Sequence, residues 1–325
     1  MITAYGHDGR SIVAAPLSTV APTPPEGLVW IDVFQPSVEE KALVEAATGI
    51  AIPTPEQMRE IEPSSRLFRA NGALFMTASV LHRSDSPDPE TRAMTFVIVG
   101  GVMVSIRYST PLSFETFLNR IRQQPSLIDS AESALVGLLD AIIDRIADAL
   151  EFVDVKLNTL ASTILAFGSG APQASKDYKE ELRQIGQNQV RCSKADESLV
   201  SLTRVLTFLD ANLRQSSAKQ IRLRIKSLQR DVQSLLGYEE RLSERLEFLL
   251  EATLGAINIE QTKIIKLFSV VAVVFLPPTL IASIYGMNFD VMPELHWPYG
   301  YFMALALMVV SAIMPYAFFK YRGWL

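Results

Sequence analysis

The chain has 325 residues, of which 49% are hydrophobic and 20% are charged, and its formal net charge is -5 at pH 7. A mildly acidic chain without a strongly basic face is not expected to bind nucleic acid. Its one cysteine, Cys192, excludes an intrachain disulfide, and the first 25 residues lack the continuous apolar core of a signal peptide. The composition therefore favours an integral membrane protein with a sizeable soluble part.

The N-terminal part of the chain has the pattern of a sheet with helices between its strands. Apolar and β-branched runs predict four buried strands, with Gly100 and Gly101 forming a tight hairpin turn between the last two. These strands are expected at residues 28–34, 73–81, 93–99 and 102–108. Helices are expected at residues 38–47, begun by Pro36 and Ser37, and at residues 55–61, stopped by Pro63.

Long helices are expected beyond residue 130, because no proline occurs at residues 173–276. The pattern predicts helices at residues 130–165, 174–209 and 218–285, with the first break at residues 168–172 and the second near residues 212–217. Apolar residues of the third helix keep the 4-3 spacing of a packed bundle. They are Ile221, Ile225, Leu228, Val232, Leu235, Leu242, Leu246 and Leu249. This helix is interpreted as a stalk that continues into a membrane span.

Two uncharged apolar runs, residues 267–288 and 298–319, predict a transmembrane hairpin, since each is long enough to cross a hydrocarbon core of about 30 Å as a helix. The flanking basic residues are Lys263, Lys266, Lys320 and Arg322. By the positive-inside rule, both termini should be cytoplasmic. Two packed helices enclose no aqueous path, so transport would require several copies around an axis.

The predicted fold class is an α+β membrane protein. It combines an N-terminal cytosolic α/β domain with long helices, a stalk helix continuous with the first transmembrane helix, and a C-terminal two-helix hairpin. The expected parts are the sheet domain 1–127, the long antiparallel helices 128–212, the stalk 213–263, the first span 264–288, the outer loop 289–297, the second span 298–320 and the cytosolic tail 321–325.

The end of the first span resembles a known family. The motif YGMN at residues 285–288 is followed by DVMPEL at residues 290–295, and the chain ends in FKYRGWL at residues 319–325. These motifs resemble the CorA magnesium channels, most closely those of the enterobacterial type. The resemblance implies a homopentamer in the lipid bilayer of the bacterial inner membrane, with the first spans lining a pore for Mg2+ and with Co2+ or Ni2+ as further transported ions.

A selectivity filter is predicted at Gly286, Met287 and Asn288. Because Mg2+ holds its waters tightly, neutral oxygens that hydrogen-bond to those waters suit it better than a carboxylate cage. Asn288 offers an amide oxygen, and Gly286 lets the backbone turn. Apart from the resemblance, both residues are explained as an ordinary helix end. Asp290 and Glu294 would attract cations at the entrance, the alternative being a solvated loop.

One helical face of the first span is predicted to line the pore. Small and hydroxylated residues near its outer end could face water, whereas larger apolar residues would form a constriction that blocks conduction by dewetting. The residues are Ser283, Thr279, Leu276, Ala272, Ile265 and Thr262. The resemblance matches Thr279 to a polar ring of the family, and Leu276 and Ile265 to apolar rings. Packing of helix against helix is the alternative for the hydroxyl groups.

Acidic residues are candidates for regulatory Mg2+ binding or for a ring at the cytosolic mouth. They are Asp85, Asp88, Asp140, Asp144, Asp148, Glu151 and Glu251. The four on the first long helix repel one another, which favours salt bridges to a basic stalk cluster over bound Mg2+. That cluster is Lys219, Arg222, Arg224, Lys226 and Arg230. Asp85 and Asp88 lie in a segment interpreted as a solvated loop, and Glu251 falls where the family has an aspartate.

The expected mechanism is passive Mg2+ entry driven by the membrane potential, with intracellular Mg2+ between subunits holding the stalks closed. A Zn2+, Co2+ or Ni2+ transporter of the same superfamily is an alternative. A membrane-anchored sensor or scaffold that conducts nothing is another. An enzyme is not expected, because the sequence pairs no nucleophile with a base and contains no phosphate-binding or zinc-binding motif.

Overall fold

The computed structural model describes residues 1–7, 12–16, 27–165, 178–213, 219–288, 290 and 292–323. The predicted helix break at residues 168–172 and the last two residues of the predicted tail lie outside the described residues, as does most of the predicted break near residues 212–217. The chain divides into two compact units, an N-terminal unit Met1–Leu250 and a C-terminal unit Glu251–Leu325.

Seven strands of the N-terminal unit form one sheet. They are β1 Ile2–His7, β2 Ile12–Pro16, β3 Leu28–Phe34, β4 Leu67–Ala70, β5 Ala73–His82, β6 Glu90–Val99 and β7 Val102–Arg107. Their order in the sheet is β2-β1-β3-β7-β6-β5-β4. The β3–β7 pair is parallel and the other neighbouring pairs are antiparallel. The sheet is therefore mixed, with its parallel pair near the middle.

The four predicted strands are confirmed, with β6 beginning three residues earlier than expected. Gly100 and Gly101 have φ of 58° and 85°, which is the left-handed pair that a two-residue hairpin turn requires. The sequence analysis missed β1, β2 and β4. These strands lie towards the two edges of the sheet, where a short and partly polar segment is held by its neighbour more than by its own pattern.

Helices cover the sheet and continue beyond it. They are α1 Val38–Thr48, α2 Pro55–Met58, α3 Pro63–Arg66, α4 Leu112–Gln123, α5 Ala131–Leu165, α6 Tyr178–Asn212, α7 Lys219–Tyr285 and α8 Gly300–Tyr321. Ser37 caps α1 as expected and forms a capping box with Glu40. The prediction for α2 was too long, and Pro63 begins α3 rather than only ending α2, since the first helical turn tolerates proline.

The sheet has two differently packed faces because side chains alternate along a strand. On one face, Ile31, Val33 and Val104 join Val44 of α1 and Met58 of α2 in a hydrophobic core. On the other face, the ring of Trp30 lies 5.3 Å from Phe114 and 5.7 Å from Phe117 of α4, measured between ring centroids. The spacing of the buried phenylalanines and Ile121 in α4 was a helical signal that the sequence analysis did not use.

A buried polar network links the two central strands. The Trp30 indole donates to Ser105 Oγ at 2.9 Å, and this hydroxyl donates to Asp32 at 2.8 Å. Arg107 pairs with Asp32 at 2.9 Å and lies between the rings of Phe34 and Phe114. Burial raises the pKa of the Asp32 carboxyl, against the lowering by the Arg107 guanidinium. The network satisfies charges that would otherwise be costly inside the unit.

Strand β5 is longer than its partner β4, and two serines of α6 hydrogen-bond to the backbone of β5 beyond the end of that pairing. The backbone N–H of Ser79 donates to Ser201 Oγ at 2.9 Å, and Ser198 Oγ donates to the Ser79 carbonyl at 2.7 Å. Unpaired strand edges are otherwise templates for association with other chains. The two hydroxyls therefore join α6 to the side of β5 that faces away from β6, where no described strand pairs with Ser79.

The predicted stalk is confirmed as a single helix, because α7 runs for 67 residues from Lys219 to Tyr285. Of the eight apolar residues with the predicted 4-3 spacing, seven are buried within the N-terminal unit, and Leu235 is half-buried. In the C-terminal unit, α7 continues through Pro277 and Pro278. Both α7 and α8 are long and apolar enough to cross a membrane. This agrees with the predicted stalk and transmembrane hairpin.

Candidate functional site

The outer end of α7 is built around Gly286. The backbone N–H of Gly286 donates to the carbonyl of Ala282 at 2.9 Å, and that of Met287 donates to Ile284 at 3.2 Å. A Cβ atom added to Gly286 would lie 3.1 Å from the Ala282 carbonyl oxygen. A turn does lie at Gly286, but its backbone is not left-handed. Glycine allows a close approach of backbone to backbone.

The predicted filter residues are open to their surroundings in a single chain. Met287 has 48% of its surface exposed, and Asn288 and Asp290 are also exposed. Glu294 lies in a short 3-10 helix, Pro293–His296, that follows the motif. An exposed amide and an exposed carboxylate on one helix end can hydrogen-bond to the waters of a hydrated cation. They can do so at an axis only if further copies of the chain supply the same groups.

The predicted pore face of α7 is also uncovered. All six of its predicted residues are exposed, including Ile265 at 64% and Leu276 at 65%. The hydroxyl of Thr279 donates to the carbonyl of Phe275 at 2.7 Å, and that of Thr262 donates to Asn258 at 2.8 Å. Because these donors are satisfied within the helix, the hydroxyl oxygens present lone pairs outward. Acceptors of this kind suit the water shell of a cation.

The acidic face of α5 is paired with arginines other than those expected. Arg120 of α4 lies 3.5 Å from Asp140 and 2.7 Å from Asp144. Arg145 lies 3.7 Å from Asp148 and also pairs with Asp85. The ion pairs on this face are thus formed by Arg120 and Arg145, which the sequence analysis did not name as partners. Arg120 was overlooked because it lies in a helix that the sequence analysis did not predict.

The pKa of the Asp140 carboxyl is also affected by Arg120. Burial raises the pKa of the Asp140 carboxyl above its ordinary value, and the neighbouring Asp144 raises it further. Arg120 and then Arg224 act in the opposite direction and lower this pKa. Arg224 is the member of the predicted stalk cluster that acts on Asp140, and it does so through its charge.

Three of the acidic candidates have a different environment. Asp88, Glu151 and Glu251 are exposed, and none has an ion pair within the described part of the chain. Among the described residues, no group of three or more histidine, cysteine, aspartate or glutamate side chains is placed to hold a metal ion.

The sheet, the long helices and the two apolar helices define an α+β membrane protein. Residues 25–321 match the family model of the CorA-like Mg2+ transporter protein. The chain is 33% identical over 325 residues to the magnesium transport protein CorA of Pasteurella multocida, with 100% of both chains covered. It is 33% identical to the protein of the same description from Escherichia coli K12, with 91% of this chain and 92% of that relative covered. The chain belongs to the CorA-like Mg2+ transporter family.

Solved structures show the same fold. The CorA magnesium transporter from Methanocaldococcus jannaschii matches with a TM-score of 0.77 and 20% identity, covering 100% of this chain and 99% of that one. The full-length CmaX protein matches with a TM-score of 0.71 and 16% identity, covering 99% and 97%. The fold class is confirmed by these likenesses. The family is one of transporters, so the expectation that the protein is not an enzyme agrees with it.

Proposed function

We propose that this protein carries Mg2+ across the bacterial inner membrane as a homopentamer, with both termini in the cytoplasm and the filter at Gly286, Met287 and Asn288. The observation that carries the proposal is the open helix end, where an exposed Asn288 follows a glycine in close backbone contact. The full-length similarity to magnesium transport proteins of other bacteria supports the choice of ion.

The exposure of the hairpin within a single chain supports an oligomer. The two apolar helices have 0% and 6% of their most apolar segments buried within the chain. A pore bounded by one side of α7 needs the same side from other copies to close it. In the proposed assembly, α7 lines the pore and α8 lies outside it. The number five comes from the resemblance to the family.

Passage begins at the entrance and ends in an apolar constriction. Asp290 and Glu294 attract the cation, and five Asn288 amides hydrogen-bond to its water shell without stripping it. Further in, Thr279 and Ser283 offer hydroxyl oxygens, whereas Leu276 and Ile265 form a constriction that is closed while dry. The membrane potential contributes about 2.3 kcal/mol per charge per 100 mV, and thus about twice that for Mg2+.

Regulation is assigned to carboxylates that have no arginine partner within the described residues. Asp88, Glu151 and Glu251 are exposed and could meet a neighbouring copy, whereas Asp85, Asp140, Asp144 and Asp148 already have arginine partners. Intracellular Mg2+ bound between copies would hold the stalks together. Its loss would leave like charges to repel, which favours the open state.

Asn288→Ala tests the filter. In liposomes containing the purified protein, this substitution should lower Mg2+ uptake about tenfold or more, because the shell of the ion loses its amide partners. Ser311→Ala in α8 is the control, since that hydroxyl donates to the carbonyl of Met308 within its own helix. Undiminished selective uptake by Asn288→Ala would contradict the proposed filter.

Two further measurements separate the alternatives. Competition of Co2+, Ni2+ and Zn2+ with Mg2+ uptake distinguishes a magnesium transporter that also carries Co2+ or Ni2+ from a transporter of those metals. A purified oligomer that passes no divalent ion would favour the non-conducting sensor or scaffold. The mass of the oligomer in detergent gives the number of copies directly.

A further inference from the structure

The C-terminal unit contains a groove of about 490 Å³ between α7 and α8. Its lining residues include Ile265, Lys266, Val270, Val273, Phe319 and Gly323. Gly323 follows the end of α8 and has φ of 68°. The walls are mostly aliphatic and aromatic, and Lys266 contributes the one charged side chain among the lining residues. Such a groove combines an apolar slot with a cationic group.

The basic side chains at this end of the hairpin differ in the partners that they contact. Lys263 lies 3.9 Å from Glu260, and the Arg322 guanidinium lies 5.7 Å from the centre of the Phe318 ring. Lys266 is exposed and has no ion pair within the described part of the chain. The groove therefore borders an ammonium group whose charge the described residues leave uncompensated. An anion fits this position better than a neutral group.

We propose that this groove binds one anionic phospholipid, with its phosphate at Lys266 and part of an acyl chain along Val270, Val273 and Phe319. Val273 is seven residues beyond Lys266, about 10 Å along the helix axis, which is deep enough for part of an acyl chain. Basic pockets between membrane helices on the cytoplasmic side are suited to anionic head groups. The site concerns lipid and does not depend on which ion the protein carries.

Native mass spectrometry of the full-length protein tests this directly. The purified protein is incubated in detergent with equal amounts of phosphatidylglycerol and phosphatidylcholine, and the lipids retained per chain are counted. The wild-type protein should retain phosphatidylglycerol in preference. Lys266→Gln should lower that retention about fivefold, the effect of one basic residue at an anionic surface. Lys263→Gln is the matched control, because Lys263 is not among the lining residues, and it should leave retention unchanged.

Val273→Trp tests the apolar half of the site while Lys266 stays in place. The indole should fill the groove and lower phosphatidylglycerol retention without changing the number of chains in the oligomer. Equal retention of the two lipids overturns the proposal, as does an equal loss in Lys266→Gln and Lys263→Gln, which indicates diffuse charge attraction. Unchanged lipid retention with an altered oligomer in Val273→Trp also overturns it, because the groove would then hold a second copy of the chain.

Discussion

The two units of this protein differ in which side chains they bury and which they leave exposed. In the N-terminal unit, the buried charges of Asp32 and Arg107 pair with each other, with 4% and 9% of their side chains exposed. In the C-terminal unit, apolar side chains stand uncovered, as Leu276 does at 65%. A buried charge without a partner and an apolar surface in water are both costly.

The difference indicates whether the side chains of each unit are covered by the same chain or by other molecules. The N-terminal unit has its own hydrophobic core and closes the edge of β5 with hydroxyls of α6. In the proposed assembly, the C-terminal unit makes its further contacts with lipid and with other copies of the chain, because its two apolar helices are largely uncovered within one chain. Substitutions that remove an internal partner should therefore act on stability in the first unit. Substitutions at the open helix end should act on transport in the second.

The largest effect on stability is expected from Asp32→Ala. Arg107 would stay buried between Phe34 and Phe114 with no carboxylate beside it, which costs about 3–5 kcal/mol of unfolding free energy. Urea unfolding of the detergent-solubilised protein, followed by circular dichroism, measures the loss. Glu180→Gln removes the exposed pair with Arg183 and serves as the control, with no measurable change expected. Similar losses in both variants would contradict the contrast between buried and exposed pairs.

Gly286→Ala should impair transport rather than stability. The new Cβ would lie 3.1 Å from the Ala282 carbonyl oxygen, a tight contact, so we expect the helix end to adjust by a few tenths of an ångström and to move Met287 and Asn288. Mg2+ uptake into liposomes should fall about tenfold or more. Gly186→Ala, at an exposed position of α6 where a Cβ meets nothing within 4 Å, is the matched control. Normal uptake by Gly286→Ala would show that the close approach is not needed for function.

The smallest effect is expected from Arg120→Gln, and its dependence on pH has a defined sign. Burial raises the pKa of Asp140, so the ionised carboxyl carries a cost in the folded state above that pKa. Removing Arg120 raises the pKa further. The variant should lose less than about 1 kcal/mol at neutral pH, because the pair is partly exposed. The loss should shrink as pH falls through the raised pKa and the carboxyl is protonated.

Unfolding free energies of the wild type and of Arg120→Gln at neutral pH and at about pH 4 give this difference. Adding Asp140→Asn to the variant should reduce its pH dependence, because the carboxyl with the raised pKa is then absent, whereas Asp144 remains as a second carboxylate that has lost Arg120. A loss that grows in acid would mean that another group, rather than Asp140, responds to the missing arginine.

The regular elements could be predicted because their signals lie within one stretch of sequence. The spans follow from uncharged length, the stalk follows from apolar 4-3 spacing, and the start of α1 at Ser37 follows from a capping residue. The family resemblance added the filter motif at Gly286, Met287 and Asn288. Short edge strands and the helix α4 were missed, since their patterns are short and packing against the sheet decides them.

The sequence by itself determined the class of protein, the membrane hairpin and the motif at the end of its first span, because hydropathy and helical periodicity are local properties. Only the tertiary structure decided which arginine meets which carboxylate, since Arg120 and Asp140 meet through helix packing and Asp32 meets Arg107 across two strands. It also placed Gly286 where an added Cβ would lie 3.1 Å from the Ala282 carbonyl oxygen. Such contacts depend on how whole elements are placed, and no local pattern specifies that placement.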